Sequence, residues 1–136
     1  MSQYKGASIF LGAAAVLLTS CRPYGCDTDE CVRQAPLQRW VHCAAVYQAG
    51  VAVLRDPTSR DKLKGEPNVL QAQAMKMVDS ALREGKELGK DRQAIYQNLE
   101  RERLAYLRPL SSGSGSADRY DTLVKDIARC GDAEDL

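Results

Sequence analysis

Apolar residues in this chain recur at helical spacing in four separate stretches. In the first stretch, for example, Trp40, Cys43 and Tyr47 follow one another at steps of three and four residues. Such steps place side chains on one face of an α-helix, and the alternation typical of a β-strand is nearly absent. The pattern therefore predicts an all-α fold, a small four-helix bundle. Its helices are expected at about residues 36–55, 67–88, 91–107 and 118–130.

Proline, glycine and aspartate set the predicted helix boundaries. Pro36 suits a first helical turn, and Pro57 stops the first helix because proline cannot continue the hydrogen-bond ladder. Gly89 suits a left-handed cap after the second helix, and Asp91 suits the N-cap of the third. Gly131 is expected to end the fourth helix. Only a few residues separate the predicted second and third helices, and so short a turn predicts that these two helices pack as an antiparallel pair.

Three segments are predicted to connect the ordered parts of the chain. Residues 22–35 combine Pro, Gly, Asp and Thr with little periodicity and are predicted to form a tether and loop. The polar segment after Pro57 is expected to be a surface loop, and residues 111–116 have the composition of a flexible Gly-Ser linker. The residues expected to face inward from the four helices are Trp40, Cys43, Ala44, Tyr47, Val51, Leu54, Leu70, Ala74, Met77, Val78, Ala81, Leu82, Ile95, Leu99, Tyr106, Leu107, Tyr120, Leu123, Val124, Ile127 and Cys130.

The amino-terminal segment has the three regions of an export signal. Its apolar run covers residues 7–18, whereas a helix needs roughly 20 residues to cross a bilayer. Lys5 precedes the run, and the small residues Thr19 and Ser20 follow it. This layout predicts a cleaved signal peptide over residues 1–20, with residues 21–35 as the tether and residues 36–136 as the helical domain.

The end of this segment, Leu18-Thr19-Ser20-Cys21, resembles the lipobox of bacterial lipoproteins. The resemblance implies that the Cys21 sulfur receives diacylglycerol, that cleavage occurs just before it, and that a further chain such as palmitate acylates the new amino terminus. Two or three acyl chains hold a protein at a membrane stably, whereas one gives only marginal binding. Arg22 stands where an Asp favours inner-membrane retention in enteric bacteria, so the resemblance implies an outer-membrane lipoprotein facing the periplasm. Two other interpretations of this segment stay open. It could be an ordinary secretory signal in which Cys21 happens to lie near the cleavage site, or an apolar helix buried in the core of a cytosolic protein.

The remaining cysteines fit an oxidising compartment. Cys26, Cys31, Cys43 and Cys130 are even in number and can pair fully once Cys21 is acylated. Four cysteines allow three connectivities. Because Cys43 and Cys130 both lie on predicted inward faces, their pairing is favoured, which leaves Cys26 with Cys31. The spacings match no familiar zinc pattern, so no metal site is predicted.

Composition and motifs disfavour several functions. With 19 basic against 18 acidic residues, the chain lacks the basic surface on which nucleic-acid affinity depends. Motifs for hydrolytic nucleophiles, phosphate loops, zinc proteases and haem attachment are missing, so neither an enzyme nor a cofactor is predicted. His42 adjoins Cys43, but neighbouring helical residues point about 100° apart. His42 is therefore expected to lie at the helix edge with no acid spaced to assist it.

A few residues are candidates for binding. Tyr96, Tyr106 and Tyr120 could line a small groove, although core filling is the simpler interpretation. Met75 and Met77 are likewise interpreted as core fillers. The third helix carries a mixed-charge run at residues 100–103, which predicts a solvated face; the alternative is a docking surface for an acidic or zwitterionic partner.

The leading hypothesis is a membrane-anchored, non-enzymatic lipoprotein that binds another envelope protein or acts in envelope assembly. Anchoring would raise its effective concentration near partners at the same surface. The alternative is a periplasmic carrier of a small apolar ligand. These two functions differ in what they require, because a carrier needs an enclosed apolar cavity whereas a binding module needs an exposed apolar patch.

Overall fold

The computed structural model describes residues 28–111 and 116–134. Within these ranges the chain forms four α-helices and no strand, so the predicted all-α four-helix bundle is confirmed. Residues from Leu37 onward make one compact unit, which contains the core, and residues up to Pro36 belong to another. The helices are α1 (Asp29–Arg55), α2 (Pro67–Glu87), α3 (Arg92–Ser111) and α4 (Ser116–Glu134), with a short 3-10 helix (Arg60–Lys62) between α1 and α2.

The start of α1 differs from the prediction. Residues 29–35 are helical, so their assignment to a tether was wrong, and residues 21–27 lie outside the described ranges. The Thr28 hydroxyl oxygen accepts the backbone N–H of Cys31 at 3.2 Å, as an N-capping side chain does. Pro36 consequently lies inside α1 instead of opening it.

The part of α1 after Pro36 is buried on more than one face. Four of the residues predicted to face inward, Cys43, Ala44, Tyr47 and Val51, are buried. A helix that is apolar on all sides is a core helix, and α1 fits this description because further buried residues cover its other faces. These additional buried residues are Leu37, Val41, Ala45, Val46, Ala49 and Val53.

Side chains of two other helices approach α1 closely at Gly50. A Cβ at this position would lie 3.0 Å from Leu70 Cδ1 of α2 and 3.1 Å from Ile127 Cδ1 of α4. Contacts this short are tighter than ordinary van der Waals packing, so only glycine fits without displacing its neighbours. The absence of a side chain here allows α2 and α4 to pack against α1.

The connection between α1 and α2 is less solvated than predicted. Leu63 is buried in the core, and the Ser59 hydroxyl is buried and donates to the Val53 carbonyl oxygen at 2.9 Å. At the exposed start of the connection, the backbone N–H and the hydroxyl of Thr58 both donate to Asp56, which lowers the pKa of that carboxyl. The prediction of a surface loop is therefore right for its start and wrong at Ser59 and Leu63.

The turn between α2 and α3 follows the predicted signals. Gly89 has a φ of +69°, the left-handed region that favours glycine. Its N–H donates to the Lys86 carbonyl, and the Lys90 N–H donates to the Gly85 carbonyl at 2.8 Å. This pair of bonds is a Schellman motif, which satisfies carbonyls at the end of α2. The predicted glycine cap is confirmed.

The first turns of α3 lie close to the end of α2. The Asp91 carboxylate accepts the backbone N–H of Gln93 at 3.4 Å, as predicted for the N-cap. Gly85 is buried, and a Cβ there would overlap Cδ1 of Ile95. A larger residue at position 85 would therefore force the Ile95 side chain to move.

Both later helices extend past their predicted ends. Pro109 lies inside α3, and Gly131 lies inside α4. Leu107 and Leu110 pack partly buried against the core on either side of Pro109, and this burial favours helix where the local sequence disfavours it. Residues 112–115 of the predicted linker lie outside the described ranges.

A disulfide links the first and last helices. Cys43 of α1 is bonded to Cys130 of α4, with their Cα atoms 5.5 Å apart, which confirms the favoured pairing. Cys31 is also disulfide-bonded; Cys26, its predicted partner, lies outside the described residues. On α4, Leu123 is fully buried as predicted, whereas Val124 is 43% exposed and not part of the core. The prediction for Val124 was wrong because its side chain points away from the stripe that Leu123 and Cys130 occupy.

Candidate functional site

Four polar side chains from three helices meet beside the disulfide, and we call them the polar cluster: His42, Glu102, Tyr106 and Asp126. His42 Nδ1 lies 3.1 Å from Glu102 Oε2. The Tyr106 hydroxyl donates to Asp126 Oδ2 at 2.5 Å. The rings of His42 and Tyr106 are 6.2 Å apart between centroids and tilted by 48°. The cluster therefore connects α1 to α3 and α3 to α4.

The sequence spacing explains how each helix contributes. Glu102 and Tyr106 are four residues apart on α3, so both lie on one face of that helix. Asp126 precedes Cys130 by four residues on α4, and the two share a face in the same way. His42 directly precedes Cys43 on α1. The disulfide thus fixes the distance between the two helices to which α3 is hydrogen-bonded.

Electrostatics at the cluster favour a protonated imidazole and a protonated phenol. The hydrogen bond that His42 donates to Glu102 raises the pKa of His42 above 6.5 and outweighs the opposing effect of burial; the charge of Asp126 raises this pKa further. Burial, followed by the hydrogen bond to Asp126, raises the pKa of Tyr106. Arg129, one turn along α4, lies 3.5 Å from Asp126 and is largely exposed.

These interactions define what the cluster can do chemically. A carboxylate only accepts hydrogen bonds, so the contact with Glu102 places a proton on His42 Nδ1. Protonation of the ring makes this bond charge-assisted and leaves Nε2 as a second donor. A raised phenol pKa makes Tyr106 a persistent donor and a poor nucleophile. The neighbouring Cys43 sulfur is already in a disulfide. The cluster is thus suited to keeping His42 and Tyr106 protonated as hydrogen-bond donors and to joining three helices.

The partner of His42 was not predicted. Glu102 lies 60 positions away in the chain, so no acid is near His42 in the sequence. A signal was nonetheless present. Leu99, Glu102 and Tyr106 follow one another at steps of three and four, so Glu102 lies within the inward stripe of α3. A carboxylate in such a position is a candidate for pairing with a polar group on another helix.

The three tyrosines of the predicted groove have different surroundings. Tyr106 belongs to the polar cluster, Tyr120 packs partly buried against the core, and Tyr96 is 40% exposed. Tyr96 and Tyr106 are ten residues apart on one helix, which is about 15 Å along its axis. The groove stays a prediction, and only Tyr106 has a polar partner across helices among those described.

The mixed-charge run of α3 divides between two sides of the helix. Arg103 donates two hydrogen bonds to Glu100, at 2.6 Å and 3.0 Å. Their pairing lowers the pKa of Glu100 and raises that of Arg103. Arg101 is exposed, whereas Glu102 turns toward His42. The prediction of a solvated face therefore fits Glu100 and Arg101 but is wrong for Glu102.

An exposed apolar strip runs along the first half of α2. Val69, Ala72 and Met75 are all exposed and follow one another at steps of three residues. Residues at this spacing are neighbours on a helix surface. The interpretation of Met75 as a core filler was wrong, whereas Met77 is buried as expected. The strip is the largest group of adjacent exposed apolar side chains along α2.

Within residues 28–111 and 116–134, no three or more His, Cys, Asp or Glu side chains are grouped so that they could hold a metal ion. No helix in that part of the chain is both long and apolar enough to cross a bilayer. Cys21, the predicted lipid-attachment residue, lies outside it. Comparison with protein-family models, with curated proteins and with solved structures finds no match.

Proposed function

We propose that this protein is a bacterial lipoprotein, anchored through acyl chains on Cys21, whose helical domain binds another envelope protein in the periplasm without catalysing a reaction. The observation that carries the proposal is the lipobox, Leu18-Thr19-Ser20-Cys21, after an apolar run too short to cross a bilayer. The disulfide between Cys43 and Cys130 supports the proposed location, because such bonds persist in oxidising compartments outside the cytosol.

Two features of the domain support binding over catalysis. The chain contains a single histidine, and its Nδ1 is engaged by Glu102, while the adjacent Cys43 is oxidised. The adjacent pair His42 and Cys43, which could supply a base and a nucleophile, is thus engaged with other protein groups. The exposed strip Val69, Ala72 and Met75 supplies apolar area of the kind that protein interfaces cover.

The anchor is tested by intact-mass spectrometry and membrane fractionation of the full chain and its Cys21→Ser variant. The native chain should lose residues 1–20, gain the mass of two or three acyl chains, and stay with the outer membrane. Cys21→Ser should carry no lipid and remain unanchored. Ser20→Ala is the matched control, since it keeps a small residue before the cysteine and should still be acylated. A native chain without acyl mass would refute the anchor.

Binding to an envelope protein is tested separately by photo-crosslinking in cells. A photoreactive residue at Met75 should give one discrete crosslinked species, and the same residue at Asp132, exposed on α4, serves as the control position. A partner recovered from position 75 and not from position 132 supports binding through α2. Equal labelling at both positions, or none at either, counts against it. Lipid extracted in stoichiometric amount with the domain would instead favour the apolar-ligand carrier.

A further inference from the structure

The polar cluster lies where the apolar packing of α3 is weakest. In the first half of α3, Ile95 and Leu99 are buried in the core. The second half contributes no fully buried side chain; Tyr106, Leu107 and Leu110 are only partly buried, and Pro109 removes a backbone donor. Polar contacts therefore have a larger share in holding the second half of α3 than in holding the first.

Those contacts attach α3 to a covalently fixed frame. Glu102 reaches His42 on α1, and one turn later Tyr106 reaches Asp126 on α4. The disulfide between Cys43 and Cys130 joins the same two helices directly beside these contacts. Any change in the cluster must therefore be accommodated mainly by α3, since α1 and α4 cannot separate at this point.

We propose that the polar cluster is a pH-sensitive clasp, in which protonation of His42 tightens the second half of α3 against α1 and α4, and deprotonation loosens it. Protonated His42 bonds Glu102 as an ion pair, whereas the neutral ring makes only a weaker hydrogen bond to the carboxylate. The Tyr106 hydroxyl keeps its proton over the pH range in which His42 titrates, so the Tyr106–Asp126 bond between α3 and α4 is unchanged by that titration.

The charges that act on the imidazole come from two helices. Glu102 contributes from α3, and Asp126 contributes from α4, where Arg129 lies 3.5 Å from the Asp126 carboxylate. Tyr106 faces the ring from α3 as a neutral group. Among the described residues, no charge on α2 acts on His42. Both charges that reach the ring are negative, so they favour its protonated form.

The sign of the pH dependence follows from the direction of the shift. The pKa of His42 in the folded protein is raised above 6.5, its ordinary value. A group with a raised folded pKa contributes stability that is fully present below the unfolded pKa and is lost as pH rises through the folded one. The clasp should therefore be tight in mildly acidic medium and loosen as the pH rises above 6.5.

The imidazole itself provides the first test, because the chain has a single histidine. In the full chain, purified in detergent without a histidine tag, the imidazole proton resonances should titrate with a pKa above 6.5. Glu102→Gln keeps a hydrogen-bonding partner but removes its charge, so the pKa of His42 should fall. A pKa at or below 6.5 in the native chain, or no change in Glu102→Gln, would overturn the proposal.

Hydrogen exchange provides the second test, with α3 serving as its own control. Between pH 6 and pH 8.5, protection factors of amides at residues 103–108, 110 and 111 should fall roughly two- to fivefold relative to those at residues 95–99, the range for a partly exposed ion pair. In His42→Gln, which cannot titrate, this relative change should vanish. In Tyr106→Phe protection should be lower at every pH with the same pH dependence. A relative change of equal size in native and His42→Gln chains would refute the clasp.

Discussion

Replacing Cys43 and Cys130 together by alanine removes the covalent link between α1 and α4. The two cysteines are 87 positions apart, so the disulfide closes most of the domain into one loop. In the chain-entropy model a loop of this length stabilises the folded state by roughly 4–5 kcal/mol, because the cross-link restricts the unfolded ensemble. Since small domains have total stabilities of about 5–15 kcal/mol, the loss should remove a large fraction of the whole.

The measurement is equilibrium urea unfolding of the full chain, followed by circular dichroism at the helical band. The double variant should unfold at lower urea with a free energy of unfolding smaller by roughly 4–5 kcal/mol, and with a larger m-value because its unfolded state is less compact. In thermal scans the midpoint should fall on the order of 20 °C. The folded spectrum in the absence of urea should stay helical.

The matched control removes the other predicted pair, Cys26 and Cys31, by alanine substitution. Loop-closure entropy grows with the logarithm of loop length, so this short loop should contribute much less. Reductant should destabilise the native chain strongly and the Cys43→Ala/Cys130→Ala variant only slightly. An unchanged free energy of unfolding in the Cys43→Ala/Cys130→Ala variant would refute the entropic explanation. An equally large loss of this free energy in the Cys26→Ala/Cys31→Ala variant would also refute it.

Two further pairs of variants test packing and backbone conformation. Leu123→Ala empties a fully buried position on α4 and should cost roughly 2–5 kcal/mol in urea unfolding, whereas Val124→Ala, its exposed neighbour, should cost under about 1 kcal/mol; similar losses would contradict the assigned core face. Gly89→Ala should destabilise by about 1 kcal/mol because its φ is positive, while Gly131→Ala, with open space around it, should stabilise by about 0.5–1 kcal/mol. Thermal denaturation reports both signs, and a stabilising Gly89→Ala would contradict the left-handed cap.

The predictions that the structure confirms rest on local or periodic signals. The cap at Gly89 and the N-cap at Asp91 each depend on a few neighbouring residues, and the structure has both. The pairing of Cys43 with Cys130 was predicted because helical periodicity places both on inward faces. Periodicity specifies a face without specifying what lies opposite, and this was sufficient because the two helices share a core.

The predictions that failed are those in which packing outweighs a local rule. Pro36 and Pro109 are expected at or beyond helix ends, yet both lie inside helices. A proline in a helix loses one hydrogen bond, which burial of apolar neighbours such as Leu110 can offset. The partner of His42 was missed for a different reason, since a contact over 60 positions depends on the mutual arrangement of helices that no local spacing reports.

Different parts of the bundle are held together by different kinds of interaction, and each kind is disturbed by a different change in conditions. Residues 41–53 of α1 are mostly buried, and α4 is bonded to α1 through Cys43, so separating these two helices requires reduction or global unfolding. The pair α2 and α3 is held by a tight turn and by the close approach of Gly85 and Ile95, neither of which titrates. By contrast, the second half of α3 is only partly buried and is attached to α1 by a titratable pair, His42 and Glu102. A change in pH near neutrality should therefore alter this part of the described structure first, while the disulfide-linked frame keeps its form.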